Sequence, residues 1–180
     1  MKNSKAATLT RIAAMTAITC IMGPLSIPLP FSPVPISLTV LAVYLSAYVL
    51  GMKYGTISYI TYLLIGFVGA PVFSGFTGGA GRLAGPTGGY LIGFIFMALI
   101  VGFFIDHFNA NTVKTVIGMI LGTIVCYVFG TLWLAHSSGT SFVASLQIGV
   151  LPYIPADIIK MIIAIIIGKP VRKAMHSIKS

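Results

Sequence analysis

Apolar residues in this chain arrive in long runs, parted by short segments rich in Gly, Pro and Lys. The first run covers about residues 8–23 and stops at Gly23-Pro24. The segment after it, GPLSIPLPFSPVPIS, carries five prolines and no charge. That density of proline forbids helix and favours a stiff, extended path. A second helix is predicted at about 36–50 and a third at about 55–70, ending before Pro71. Between them Gly51-Met52-Lys53-Tyr54-Gly55 reads as a tight turn with a glycine at each end. A glycine-rich segment, PVFSGFTGGAGRLAGPTGG, leads to a fourth helix at about 87–105. The polar loop DHFNANTVK precedes a fifth at about 112–135. HSSGTSFVASLQIGVLPYIP follows, with room for a short amphipathic helix, and a sixth helix covers about 155–173. No internal repeat or low-complexity tract interrupts this order.

The runs have the length that crosses a bilayer as helix, roughly 17 to 25 residues. Composition agrees: 57% of residues are hydrophobic, 7% are charged, and the mean hydropathy is +1.04. Soluble domains carry roughly a quarter charged residues, so an ordinary soluble fold is excluded. The expectation is an all-α, polytopic membrane protein. It is a six-transmembrane-helix bundle forming one membrane domain over residues 1–180. The basic start followed by an apolar run resembles a signal peptide. Thr19 stands where a lipoprotein cleavage site needs a small residue before Cys20, so this stretch reads as a retained first span. Cys20 and Cys126 fall inside predicted helices and read as small packing residues.

A net charge of +9 raises the question of nucleic acid, but the charges form no patch. They lie between the spans, where they set orientation. With the N-terminus inside, Lys2, Lys5, Arg11, Lys53, Lys114, Lys169, Arg172, Lys173 and Lys179 all fall on the inner side, nine of the eleven basic residues. Both termini are then cytoplasmic. The three long loops, 24–36, 71–86 and 136–154, share the outer face with Arg82, Asp157 and Lys160. Loops of this kind close a pocket over a bundle when protein or water satisfies their backbone. An outward-facing, loop-covered ligand pocket is expected.

Only two acidic residues occur, Asp106 and Asp157, and there is no Glu. Asp157 and Lys160 stand one helical turn apart on one face, at the head of an apolar run. The pair reads either as a ligand site or as an internal ion pair that neutralises both members. Asp157 also follows Pro155 in the manner of a helix N-terminal charge. The ligand site is favoured, because hydrophobic packing costs less than a buried pair. Seven glycines lie between Gly75 and Gly89. They make no phosphate loop, since no strand precedes them and no Lys-Ser or Lys-Thr follows. Close packing over helix ends and direct ligand contact both fit them. Arg82 is either a surface charge or an anchor for a carboxylate. Phe73, Phe76, Tyr90, Trp133 and Tyr153 fit an interfacial aromatic belt or the walls of an apolar pocket.

Ala6, Thr10, Ala13, Ala14 and Ala17 give the first helix a narrow, smooth face suited to close helix approach. Its partner is either the bundle itself or a separate membrane protein. His107, His136 and His176 are scattered and make no metal set. No nucleotide-binding motif, catalytic triad or carboxylate pair is present, so neither ATP use nor hydrolysis is expected of the chain alone.

The stretch from Pro33 to Phe94, the later GTLWL at 130–134, and LPYIPADIIK at 151–160 resemble the BioY family. GPTGGY at 85–90 together with the Asp157–Lys160 segment is the most specific part. The likeness spans roughly residues 30 to 175. BioY proteins are biotin-specific S components of energy-coupling factor vitamin transporters. The resemblance implies a six-helix bundle in a prokaryotic plasma membrane, with biotin under the outer loops and no cofactor or metal. It implies a substrate site of Asp157, Lys160 and the segment Thr77-Gly78-Gly79, where some members carry Asn at the position of Thr77. Arg82, Tyr90 and Tyr153 are candidates for the remaining contacts. It further implies a transmembrane coupling protein and two cytoplasmic ATPases as partners, met through helix 1 small residues such as Ala13 and Ala17. An S component for another vitamin, or a membrane-embedded enzyme using Asp157, remain the alternatives to biotin capture.

Overall fold

The structure, a computed structural model, describes residues 5–177; Lys2, Lys179 and the side chain of His176 lie outside the described residues. In chain order it contains helix α1 (Lys5–Met22), strands β1 (Ser26–Leu29) and β2 (Ser32–Ser37), and helix α2 (Thr39–Phe67). These are followed by α3 (Ala80–Ala84), α4 (Gly88–His107), α5 (Thr112–Ser138), α6 (Phe142–Gly149), a 3-10 turn at Leu151–Tyr153, and α7 (Ile154–Ser177). Among the described residues, four helical stretches are long and apolar enough to cross a membrane: Thr39–Phe67, Gly88–His107, Thr112–Ser138 and Phe142–Met175.

The all-α expectation needs one correction. The proline-rich segment is extended, as its composition dictates, but it also pairs with itself. Strands β1 and β2 form an antiparallel hairpin with Ser26 opposite Ser37 and Ile27 opposite Ile36. The register shifts between Ile27 and Leu29, at Pro28. A two-stranded ribbon has only edge strands, so prolines that lack an N–H are tolerated on its open sides.

Helix α2 is two helical arms that meet at Gly51 and do not share a direction. Gly51 sits inside it at φ 79°, ψ −174°, outside the helical region. The chain doubles back there: a Cβ on Gly55 would lie 2.9 Å from the Cα of Ala47. In an unbroken helix those residues would be about 12 Å apart, at 1.5 Å per residue. The two arms of α2 are therefore antiparallel neighbours, and the turn between them is shorter than the five-residue turn expected.

A break of this kind orphans the carbonyls ending the first arm and the N–H groups starting the second. Both ends are served by charges from elsewhere. Asp106, in the last turn of α4, accepts the Met52 N–H at 2.8 Å. Arg172 of α7 donates to the Tyr48 carbonyl at 2.9 Å and pairs with Asp106 at 2.8 Å. The acid thus meets a helix N-terminus and the base a helix C-terminus, which is the arrangement that helix dipoles favour.

The core is aromatic. Tyr44, Tyr48, Tyr59 and Tyr62 of α2 are fully buried. Three of their hydroxyls find partners: Tyr44 at Thr123, Tyr59 at the Leu91 carbonyl and Tyr62 at the Val72 carbonyl. Phe73 packs edge-on against Tyr62 with ring centroids 5.6 Å apart. Helix α1 lies against α2 through its buried Met15, Thr16 and Thr19. Thr16 Oγ1 bonds both the carbonyl and the hydroxyl of Ser58, each at 3.1 Å.

The capping geometry at Gly51 generates a test. Asp106→Asn and Arg172→Gln should each lower stability by about 1–2 kcal/mol, read as a lower melting temperature in detergent. The reversed pair, Asp106→Arg with Arg172→Asp, should not recover the loss, because each charge would then face the wrong helix end. Full recovery would show that the pairing alone matters.

Candidate ligand-binding site

One end of the bundle carries the hairpin, the 68–79 loop with α3, and α6 with the 3-10 turn. A cavity of about 60 Å³ lies beneath them, open at its mouth. Its walls are mainly apolar: Val34, Val40, Phe73, Leu91, Phe94 and Met97, with Tyr90 and Tyr153.

Its polar focus is the pair foreseen from the sequence. Asp157 lies in the first turn of α7 and Lys160 one turn on. They are 3% and 6% exposed and meet at 2.8 Å. The second carboxylate oxygen accepts a hydrogen bond from the Tyr127 hydroxyl of α5 at 2.6 Å. The group is therefore a carboxylate with a cation on one oxygen and a phenol on the other, at a cavity wall. Remaining lone pairs of Asp157 and protons of Lys160 can serve a ligand edge that carries both donors and acceptors. The carboxylate partner that hydrolytic or acid–base chemistry would need is remote, because Asp106 is engaged at the far end of the bundle.

The other predicted residues divide. Arg82, Tyr90 and Tyr153 line the cavity with Asp157 and Lys160. Tyr90 is also a strut, donating to the Gly149 carbonyl at 2.9 Å. Tyr153 reaches the hairpin, bonding Ser32 Oγ at 2.8 Å and the Val34 carbonyl. Thr77 lines an adjoining groove with Ser26, Ser32, Ser74 and Arg82 rather than the cavity wall itself. Its hydroxyl donates to the Ser74 carbonyl at 3.0 Å, and its backbone pairs with Phe73 across a tight turn. Gly78 and Gly79 line neither space. A Cβ on Gly78 would fall 2.2 Å from the Ala70 carbonyl oxygen, and the Gly79 N–H bonds the Gly66 carbonyl at 2.7 Å. Both hold the loop against the end of α2.

Of the other aromatics, Phe73 is buried in the cavity wall, whereas Phe76 is 68% exposed. Trp133 donates to the Gly85 carbonyl at 2.9 Å, tying α5 to the segment before α4. Ala13 and Ala17 are exposed and line a separate apolar groove, floored by Ile57, Thr61 and Ile65 of the second arm of α2.

Sequence reasoning missed Tyr127, Thr87, Cys126, Phe94 and Met97 in the cavity wall. Tyr127 had a usable signal: a phenol in the middle of an apolar helix needs a polar partner, and few are available. The others look like ordinary helix residues until the packing of α4 on α5 is known.

Comparison with known proteins follows the same direction. A profile of the BioY family matches residues 1–177. The chain is 37% identical over 175 residues to the biotin transporter BioY2 of Lactococcus lactis subsp. cremoris, covering 97% of this chain and 95% of that one. It is 38% identical over 147 residues to the biotin transporter BioY of Thermotoga maritima, covering 82% and 86% respectively. A crystal structure of the S-component for biotin from an ECF-type ABC transporter is similar with a TM-score of 0.88 at 37% identity. That match covers 96% of this chain and 94% of the other.

The buried pair yields a thermodynamic expectation. Asp157→Asn or Lys160→Met alone strands a buried charge and should cost about 3–5 kcal/mol. The double substitution should recover most of that loss. Thermal unfolding of the four proteins in detergent checks this; additive losses would mean that the two charges do not rely on each other.

Proposed function

This chain belongs to the BioY family, and from that premise we propose that it is the biotin-binding S component of an ECF-type vitamin transporter. It captures the vitamin at the outer membrane face for uptake driven by partner subunits, and it is not an enzyme. The observation that carries this reading is the buried Asp157–Lys160–Tyr127 cluster on the wall of an otherwise apolar cavity. Biotin joins a ureido ring, with two N–H donors and one strong carbonyl acceptor, to a hydrocarbon chain. A carboxylate beside two proton donors, with aromatic walls around them, complements both parts.

Counting the arms of α2 separately gives six spans: α1, the two arms, α4, α5 and α7. The Gly51 reversal supports that count. The basic residues support an orientation with both termini in the cytoplasm and the loop-covered cavity outside. The site is in a prokaryotic plasma membrane, and residues 1–180 act as one unit there. Asp157 and Lys160 hold the substrate, with Arg82, Tyr90 and Tyr153 around it. Thr77, Gly78 and Gly79 act through the fold of the loop that closes beside the hairpin. Docking to the coupling protein, and through it to two cytoplasmic ATPases, uses the exposed Ala13 and Ala17 beside their apolar groove. Small residues there let another helix come close.

Titration of the purified protein with biotin tests the reading. Asp157→Asn and Lys160→Ala should each weaken binding about 10- to 100-fold, the loss of one charged hydrogen bond. Ala13→Trp with Ala17→Trp should leave binding intact but abolish uptake in cells that supply the partner subunits. Near wild-type biotin affinity in both pocket variants would remove the site assignment, and failure of the unaltered protein to bind biotin would remove the function.

A further inference from the structure

The cavity and the reversal at Gly51 account for both acids of the chain and leave a group of lysines at the far end of the bundle without a task. There the first turn of α5 and the last turns of α7 meet, and the Lys169 ammonium donates to the Thr112 hydroxyl at 3.2 Å. Lys173 follows Lys169 one helical turn on, along the same face of α7. Lys114, also in the first turn of α5, holds its ammonium 5.4 Å from the centre of the Phe108 ring, a cation–π contact. All three lysines are exposed. None has an ion-pair partner among the described residues, since Asp106 is taken by Arg172 and Asp157 by Lys160. The first turn of α5 carries no acid either. Three positive charges at this junction therefore have nothing in the described chain to balance them.

Their level on the helices says what does balance them. Ile117, Ile120 and Ile124 of α5 and Ile162 and Ile166 of α7 are exposed apolar residues, as suits contact with hydrocarbon. Ile117 lies one turn from Lys114, and Ile166 one turn from Lys169, so the lysines begin where the apolar stripes end. That is the plane of the headgroups, where the opposite charge is a phospholipid phosphate. Phe108 and Val113, the latter 68% exposed, lie among the lysines. A surface that mixes cations with apolar side chains fits the border between headgroup and acyl chain better than it fits an acidic protein. Two of the ammonium groups are also held in advance, Lys169 on Thr112 and Lys114 on Phe108, which lowers the entropy lost on binding. The Thr112 hydroxyl accepts from Lys169 and keeps its own proton for a phosphate oxygen. We propose that the junction of α5 and α7 binds the headgroup of an anionic phospholipid, held by Lys114, Lys169 and Lys173 with the Thr112 hydroxyl. Such a site requires a chain that spans the membrane; it does not depend on which ligand fills the cavity.

The test reconstitutes the full chain in bilayer discs of phosphatidylcholine with about a tenth phosphatidylglycerol as the anionic lipid. The protein is then extracted in mild detergent, and the lipids that stay bound are counted by native mass spectrometry. Each lysine near an anionic headgroup is worth roughly 5-fold, so phosphatidylglycerol should be retained about 10-fold or more above its share of the bilayer. Lys114→Gln and Lys169→Gln should each cut that enrichment about 3- to 5-fold, and the double variant should abolish it. Lys53→Gln removes an equal charge from the turn of α2 and should leave the enrichment unchanged. These lysines are all exposed, so every variant should melt as the unaltered protein does. An equal loss in Lys53→Gln would mark diffuse attraction to net charge and overturn the site. So would enrichment that survives in the double variant, or retention of the two lipids in their bilayer ratio by the unaltered protein. If that ratio came with impaired uptake by the double variant in cells that supply the partner subunits, the patch would belong to an acidic protein instead.

Discussion

A buried ion pair in a bundle of this composition is a constraint before it is a feature. Asp157 and Lys160 sit on an apolar helix, 3% and 6% exposed, and neither tolerates burial without the other. Their meeting at 2.8 Å requires helical geometry across the first two turns of α7, and the 3-10 turn at Leu151–Tyr153 delivers the chain to that start. Tyr127 extends the requirement to α5, because its hydroxyl takes the second carboxylate oxygen. One cluster therefore fixes the relation of α5 to α7 at the level of the cavity. As pure stabilisation the pair adds little over hydrocarbon of the same volume. What it supplies is a set of polar groups held in place against an apolar wall.

The remaining acid does comparable work at the opposite end, by different physics. Asp106 and Arg172 are less buried and gain from what they cap as much as from each other. The reversal at Gly51 needs positive φ, and its Cβ position is filled by the Asp106 carboxylate, 2.5 Å from where a methyl would stand. Glycine is thus required both for conformation and for room. With one acid at each end, the bundle is tied at two levels through α4, α5 and α7, and its middle is packed with tyrosines.

Helix positions were legible because apolar runs and their Gly and Pro boundaries report them directly. The Asp157–Lys160 pair was legible because charge is so rare here that each instance needs a reason. The hairpin was half legible: prolines excluded helix, but pairing of β1 with β2 depends on register, which proline-rich sequence does not advertise. The glycine cluster illustrates the limit most clearly. Seven glycines marked the 75–89 segment, yet Gly78 and Gly79 serve the loop's packing on α2, while Thr87, among the last of them, faces the cavity. Composition locates such a segment; only the path of its backbone tells which residues point inward.

The cover over the cavity is held to the helices beneath it by polar contacts and by packing into the same core. The hairpin is joined to its surroundings through the polar contacts of Tyr153 with Ser32 and Val34, and through Val34, buried in the core, with Leu29 and Ile36 packed against it. The helices are joined through interlocked side chains and glycine contacts, such as Gly93 on Cys126 and Gly130 on Tyr90. The pair on α7 draws its further partner, Tyr127, from α5, so its geometry does not depend on the hairpin or the 68–79 loop.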